Sequence, residues 1–311
     1  MGKASHGWRG KRRDRSPENA AGRLETDMVD IARAQDASTG TIATDATSPL
    51  RIEMEDVPTG RIAIATLARP DRRNALSMAT LAAMEALIAD LRDSRDIQAV
   101  VIAAEGPVFS AGHDLKELTT RRADADAGRA FFEETLGLCA RVMQGLVTLP
   151  QPVIAAVEGI ATAAGCQLVA TCDLAIAGDG ARFCTPGVHI GLFCSTPMVA
   201  LSRNVSPKHA MEMLLLGEMV PATDAARMGL VNRVVPAGHA LAAALDWARI
   251  IAQKSPATLA LGKRTFGEQL AMPLDAAYAH ATRIMVENML AGSACEGIDA
   301  FLARRAPVWP A

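Results

Sequence analysis

The run Ala99-Val100-Val101-Ile102-Ala103-Ala104 has no polar position on either face, so as a β-strand it needs cover on both sides. Such strands belong to parallel sheets clothed by helices, and this one is ended by Gly106-Pro107. Strands and helices alternate around it. Short strands are expected at 50–55 and 61–67, joined by the turn Val57-Pro58-Thr59-Gly60. A helix over 77–91 follows, with Ser77 as its N-cap and Leu81, Met84, Leu87, Ile88 and Leu91 as its apolar stripe. The pattern continues with a helix over 126–146, a strand at 153–157, a helix over 163–171 and a strand at 173–177. Beyond Pro197 the chain reads as helical, over 207–216, 223–228, 241–253, 256–270, 274–290 and 296–304. A strand at 230–235 is the one exception expected there. Alternating elements followed by a helical tail predict an α/β fold with an all-helical C-terminal part.

Composition narrows the core and the partners. Half of the 311 residues are hydrophobic but only 4% are aromatic, so Ala, Leu, Val, Ile and Met must fill the interior and an aromatic-rich sandwich is disfavoured. Lys and Arg number 32 against 34 Asp and Glu, which leaves no bulk positive field for a nucleic-acid backbone. The six cysteines (Cys139, Cys166, Cys172, Cys184, Cys194 and Cys295) form no C-x-x-C pair and have no zinc spacing. They read as buried thiols of a reducing compartment. The stretch 153–172 has about the length of a membrane span, but it holds Glu158 and Gln167 and follows Pro150 and Pro152. A buried strand feeding a buried helix accounts for it, and no membrane span is expected.

Residues 1–49 differ from the rest, being Arg-rich up to Arg15 and then polar without a sustained apolar period. They read as a disordered extension. Asp14, Glu18, Glu25, Asp27 and Asp30 spoil the acid-poor pattern of a transit peptide, so a cytoplasmic location is expected, with mitochondrial as the alternative. The expected organisation is therefore an extension at 1–49, a core at 50–250 and a helical region at 251–311.

Two glycine-containing turns stand where a strand gives way to a helix: Phe109-Ser110-Ala111-Gly112-His113-Asp114-Leu115-Lys116-Glu117, and Glu158-Gly159-Ile160-Ala161-Thr162-Ala163-Ala164-Gly165-Cys166-Gln167. A free N–H at such a junction is an unpaired donor with the helix dipole behind it. Two of them aimed at one oxygen would polarise a thioester carbonyl and stabilise its enolate. Close packing of small residues is the structural alternative for each turn taken alone.

Taken in order, with Arg69-Pro70-Asp71-Arg72-Arg73-Asn74-Ala75-Leu76 before them and the blocks at 183–197, 217–236 and 261–266 after them, these turns make the chain resemble the enoyl-CoA hydratase/isomerase (crotonase) superfamily. The likeness covers about residues 50–305. It implies a crotonase-like spiral of ββα units, a helical C-terminal region that mediates trimerisation, and homotrimers or homohexamers. It implies an acyl-CoA thioester as partner, with coenzyme A entering as part of the substrate and no covalently bound cofactor. Carried onto this chain, the oxyanion donors are the backbone N–H groups of His113 and Ala164. Ala111, His113, Asp114 and Leu115 then border coenzyme A, while Arg72, Arg73 and Lys263 either meet its phosphates or belong to a solvated surface.

The same likeness exposes a departure. Hydration needs one group to take a proton from water and another to protonate the α-carbon, and hydratases of the family use two glutamates. Their positions fall on Gln167 and Gly187, and neither residue titrates near neutrality. Glu117, Glu133, Glu134 and His189 are the remaining candidates nearby, with a solvated helix face or a satisfied imidazole as the plainer reading of each. Three functions stay open: a family enzyme with a different proton relay, a non-hydrating catalyst such as a thioester hydrolase or decarboxylase, and an acyl-CoA-binding oligomer without turnover.

Overall fold

Leu50 opens a hairpin in which β2 (Leu50–Val57) and β3 (Gly60–Leu67) pair antiparallel, from Leu50 opposite Leu67 to Val57 opposite Gly60. The computed structural model describes residues 39–41 and 48–310. From β4 onward the chain repeats one step, a strand of a large sheet followed within a few residues by a short strand of a second sheet. The pairs are β4 (Ile97–Ala104) with β5 (Val108–Ser110), β6 (Val153–Val157) with β7 (Ile160–Thr162), and β8 (Leu174–Gly178) with β9 (Arg182–Cys184). The long strands stack in parallel as β4-β6-β8 and the short ones as β5-β7-β9. This double stack is the crotonase-like spiral.

The large sheet is completed by β1 (Thr39–Thr41), antiparallel on β2, and by β11 (Arg233–Val235), parallel to β8. The small one is closed by β10 (Val220–Pro221), antiparallel on β9. Eleven α-helices accompany the strands among the described residues. Those that position the site are α1 (Met78–Asp93), α2 (Leu115–Thr120), α3 (Arg129–Thr148) and α4 (Ala164–Thr171). Then come α5 (Ser195–Asn204), α6 (Pro207–Leu216), α7 (Ala222–Met228) and α8 (Ala240–Ala252), and α9 (Pro256–Leu270), α10 (Leu274–Leu290) and α11 (Gly292–Leu302) end the chain.

Both faces of the sheet are covered, as the apolar strand demanded. Val100, Ile102 and Ala155 join α1, α3 and α4 in the larger core. On the opposite face Ile62, Ala99, Val101, Ile154 and Ile176 meet α8, whose buried Ala240, Ala244, Ala248 and Ala252 recur every fourth residue. A stripe of methyl groups lets the helix backbone lie close to the strands. Ser77 caps α1 as expected, its hydroxyl accepting from Thr80 N at 3.2 Å.

The structure departs from the sequence reading in several places: α2 and α5 were not expected, and the last helix begins at Gly292 rather than 296. The second sheet was not expected, because its strands are two or three residues long and pair with partners from other turns of the spiral. Thr39–Thr41 form a strand inside the segment expected to be disordered, and the rest of 1–47 lies outside the described residues. The helix expected from 126 starts at Arg129, since Gly128 sits at φ +86° and the Asp126 carboxylate accepts from Gly128 N and Ala130 N. The strand expected at 230–235 is shortened because Leu230 N and Val231 N turn back to the Ala225 carbonyl at the end of α7. No helix among the described residues is long and apolar enough to cross a membrane.

Candidate active site

The segment before α1 is pinned from inside. Asn74 is 1% exposed and takes a positive φ of 49°, a conformation Asn tolerates better than most residues. Its side-chain amide donates to the carbonyls of Glu105 (2.8 Å) and Val108 (2.7 Å), and its Oδ1 accepts from Arg69 N (2.9 Å). The first glycine turn hangs on this segment: Ser110 Oγ donates to the Asn74 carbonyl, Ala111 N to Arg73 O and Leu76 N to Gly112 O. Only the "NAL" likeness had marked Asn74; its role as a buried hub was not read from the sequence.

The second turn meets the first directly. Thr162 Oγ1 donates to the Ala111 carbonyl at 3.0 Å. Gly112, at φ +81°, is tightly packed against the second turn, because a Cβ there would lie 3.0 Å from Ala163 Cβ and 3.1 Å from Ala164 N. Gly165 is tighter still, with the Ser110 carbonyl oxygen 2.3 Å from the position of a Cβ. Ala163, the N-cap of α4, sits at φ +51° and ψ −119°, a backbone state that costs a residue with a Cβ about 1–3 kcal/mol. Its own N–H donates to the Cys184 carbonyl. Neither His113 N–H nor Ala164 N–H donates a hydrogen bond among the described residues. The two amides thus stand free on touching turns, the second at the first residue of α4.

The side chains around them are unevenly available. Asp114 spends its carboxylate capping α2, accepting from Lys116 N and Glu117 N. Ala111 is half-buried, Leu115 is exposed, and Arg72 and Arg73 both lie exposed on the outer segment. Glu117 accepts from Met78 N at 3.0 Å and so caps α1, while Glu133 and Glu134 are exposed on α3. His189 is exposed. Cys166 and Cys184 stay protonated at neutral pH, burial pushing the Cys184 thiol up to about 11 and Cys166 further.

Gln167 is 5% exposed in α4 and its Oε1 has no partner among the described residues. Gly187 lies buried in the 3₁₀ turn Pro186–Ile190. A Cβ at Gly187 would lie 2.6 Å from the Leu192 carbonyl oxygen and 2.9 Å from Cys194 Sγ. The position is closed by backbone as well as lacking a side chain.

Lys263 is corrected by the geometry. Its ammonium is held by Asp173 Oδ2 at 2.6 Å and by the carbonyls of Leu146 and Gln151 at 3.0 Å each, so its three donors are committed and it is not offered to a phosphate. Asp173 also accepts from Val153 N at 2.7 Å. The cluster ties α9 to the end of α3 and to the strands after it. Lys263→Met is expected to cost about 2–4 kcal/mol, because it strands a half-buried carboxylate and two carbonyls, and to leave affinity for any coenzyme A thioester unchanged. Thermal melts and titration calorimetry on the variant check both halves.

A sequence profile of the enoyl-CoA hydratase/isomerase family matches residues 59–311 of this α/β spiral. The chain belongs to that family. It is 48% identical over 243 residues to enoyl-CoA hydratase domain-containing protein 3, mitochondrial, of Rattus norvegicus, an alignment covering 78% of this chain and 79% of that one. The crystal structure of the human enoyl coenzyme A hydratase domain-containing protein 3 is similar with a TM-score of 0.78 and 45% identity, over 84% of this chain and 100% of that one. An enoyl-CoA hydratase structure from Mycobacterium smegmatis follows with 0.77 and 46%, over 83% and 98%.

Proposed function

We propose that the protein binds an acyl-CoA thioester with the carbonyl oxygen between the N–H groups of His113 and Ala164, and that it is an enzyme stabilising the enolate formed there. One observation carries this reading: two undonated amides on turns that touch, one of them directly following the strained Ala163. A residue keeps such a backbone state only where its surroundings impose it, and such states cluster at functional sites. Each oxyanion donor is worth roughly 3–4 kcal/mol to a transition state. Main-chain donors are indifferent to the identity of the side chains, so the imidazole at 113 is compatible with the role.

Arg72 and Arg73 border the coenzyme A phosphates in this reading, and Ala111 and Leu115 its adenine and pantetheine. Gln167 and Gly187 occupy the positions of the two hydratase glutamates, so water addition by that pair is not available. The reaction is therefore one that enolate stabilisation serves without them. Exposed apolar side chains of the C-terminal helices, Leu270 and Leu290 among them, and a groove of about 580 Å³ between α9 and α10 bordered by Phe266, Leu274 and Tyr278 support a homotrimer or homohexamer. The rat and human relatives are called mitochondrial in their names, which favours that location over the cytoplasmic one.

Titration calorimetry with butyryl-, crotonyl- and malonyl-CoA tests the reading. Binding is expected with at least one thioester, and Arg72→Ala with Arg73→Ala should weaken it about 2–10-fold. Folded protein that takes up no thioester would reject it.

A further inference from the structure

Two buried side-chain atoms carried by residues of these turn segments have no partner among the described residues, His113 Nε2 and Gln167 Oε1. An orphaned buried polar atom costs free energy, and in a candidate site it marks where a guest group completes the bonding. The amide oxygen of Gln167 can accept a hydrogen bond but cannot take up a proton near neutrality. The imidazole can do both. Its Nδ1 lies 3.4 Å from the Leu76 carbonyl oxygen, which accepts only, so the tautomer assigned from that partner carries its proton on Nδ1 and a lone pair on Nε2.

The other titratable side chains of the two turns are engaged or distant. Asp114 caps α2, Glu117 caps α1, Glu158 accepts from Ala240 N, and Cys166 is held protonated by burial. Lys116 is exposed. Burial lowers the His113 pKa below the ordinary histidine value, with the Leu76 carbonyl and the Glu117 carboxylate opposing it, so the ring is neutral at pH 7. Glu117, reaching it from α2, is the charged group that acts on it.

We propose that His113 Nε2 is the base that removes the α-proton of the bound thioester, a step resting on the acyl-CoA reading above. The Cα–H bond breaks, the proton passes to Nε2, and the electron pair moves into the enolate whose oxygen lies between the amides of His113 and Ala164. Return of the proton to the α- or γ-carbon restores the neutral imidazole, so no co-reactant is consumed. One residue thus supplies both an oxyanion donor from its backbone and a base from its side chain. The substrate class is an acyl thioester with an abstractable α-proton, saturated or β,γ-unsaturated, and the chemistry is proton exchange or double-bond migration.

Deuterium wash-in from D₂O to the α-carbon of butyryl-CoA, followed by mass spectrometry, reads this step without knowledge of the natural substrate. Wild-type protein should exchange the α-position, with a rate that is level above pH 6.5 and falls in acid as the ring protonates. His113→Ala, which keeps the backbone N–H, should slow exchange at least about 100-fold and abolish the acid limb. His113→Gln fills the volume without a base and should be equally slow, which guards against a misfolded alanine variant. His189→Ala serves as a control imidazole and should exchange at the wild-type rate. Undiminished wash-in in the folded His113 variants, or calorimetric thioester binding with no wash-in by wild type, overturns the base and leaves the oxyanion reading standing. Absence of thioester binding altogether overturns both.

Discussion

Gly187→Glu is expected to lower the melting temperature by roughly 10 °C, and the pair Gln167→Glu with Gly187→Glu is expected to show no hydration of crotonyl-CoA. The first carbon of any side chain at 187 would stand 2.6 Å from a backbone oxygen, that of Leu192, and 2.9 Å from Cys194 Sγ. Backbone cannot rotate away as a flexible side chain can. The Leu192 N–H is also bonded back to the Gly187 carbonyl at 2.9 Å, so the turn would have to open to admit the carbon. Overpacking of this kind costs about 1–3 kcal/mol, and a buried carboxylate without a cation adds more. About 4 kcal/mol in total corresponds, at roughly 2–4 °C per kcal/mol for a domain of this size, to the stated shift. Gln167→Glu alone meets no such clash and should fold. A double variant that melts like wild type and hydrates crotonyl-CoA would mean that the 3₁₀ turn yields and that only two side chains separate this pocket from a hydratase.

Gly165→Ala is expected to weaken thioester binding about 100-fold while the protein stays folded. Its Cβ would fall 2.3 Å from the Ser110 carbonyl oxygen and 2.7 Å from Ser110 Cβ, so α4 and the first turn must part by about an ångström. A displacement of that size between two donors that must reach one oxygen is enough to cost two orders of magnitude. Ser110 is not free to move, because its hydroxyl donates to the Asn74 carbonyl and accepts from Gly112 N. Gly180→Ala is the matched control, since a Cβ there meets nothing within 4 Å. Calorimetry on both variants, with circular dichroism to confirm folding, decides the matter. Unchanged affinity in Gly165→Ala would separate the turn contact from ligand binding.

Much of the scaffold is legible in the linear chain. The strand at 153–157 and the helices over 207–216, 256–270 and 274–290 lie at the expected bounds. For the helices the reason is local: Ser206-Pro207 and Ser255-Pro256 are N-cap and N1 pairs, and Pro273 precedes the last of them. The doubly apolar strand likewise announced a sheet covered on both sides. The small sheet escaped because strands of two or three residues carry almost no periodicity. Of the site, the two turns and their amides could be located by likeness, but not the contact between them.

The linear chain on its own settles an Ala-rich α/β scaffold, the family it belongs to and the absence of carboxylates at 167 and 187, because these depend on residue identity and short-range pattern. Folding settles which groups are left over. Lys263 is 90 positions from Asp173 in sequence yet 2.6 Å from it in space, and so is spent on an ion pair. Gly187 is barred by the Leu192 backbone, and His113 keeps an unpartnered nitrogen beside an undonated amide. Hydrogen-bond saturation and steric room are properties of neighbours brought together through space, and no local pattern along the chain encodes them.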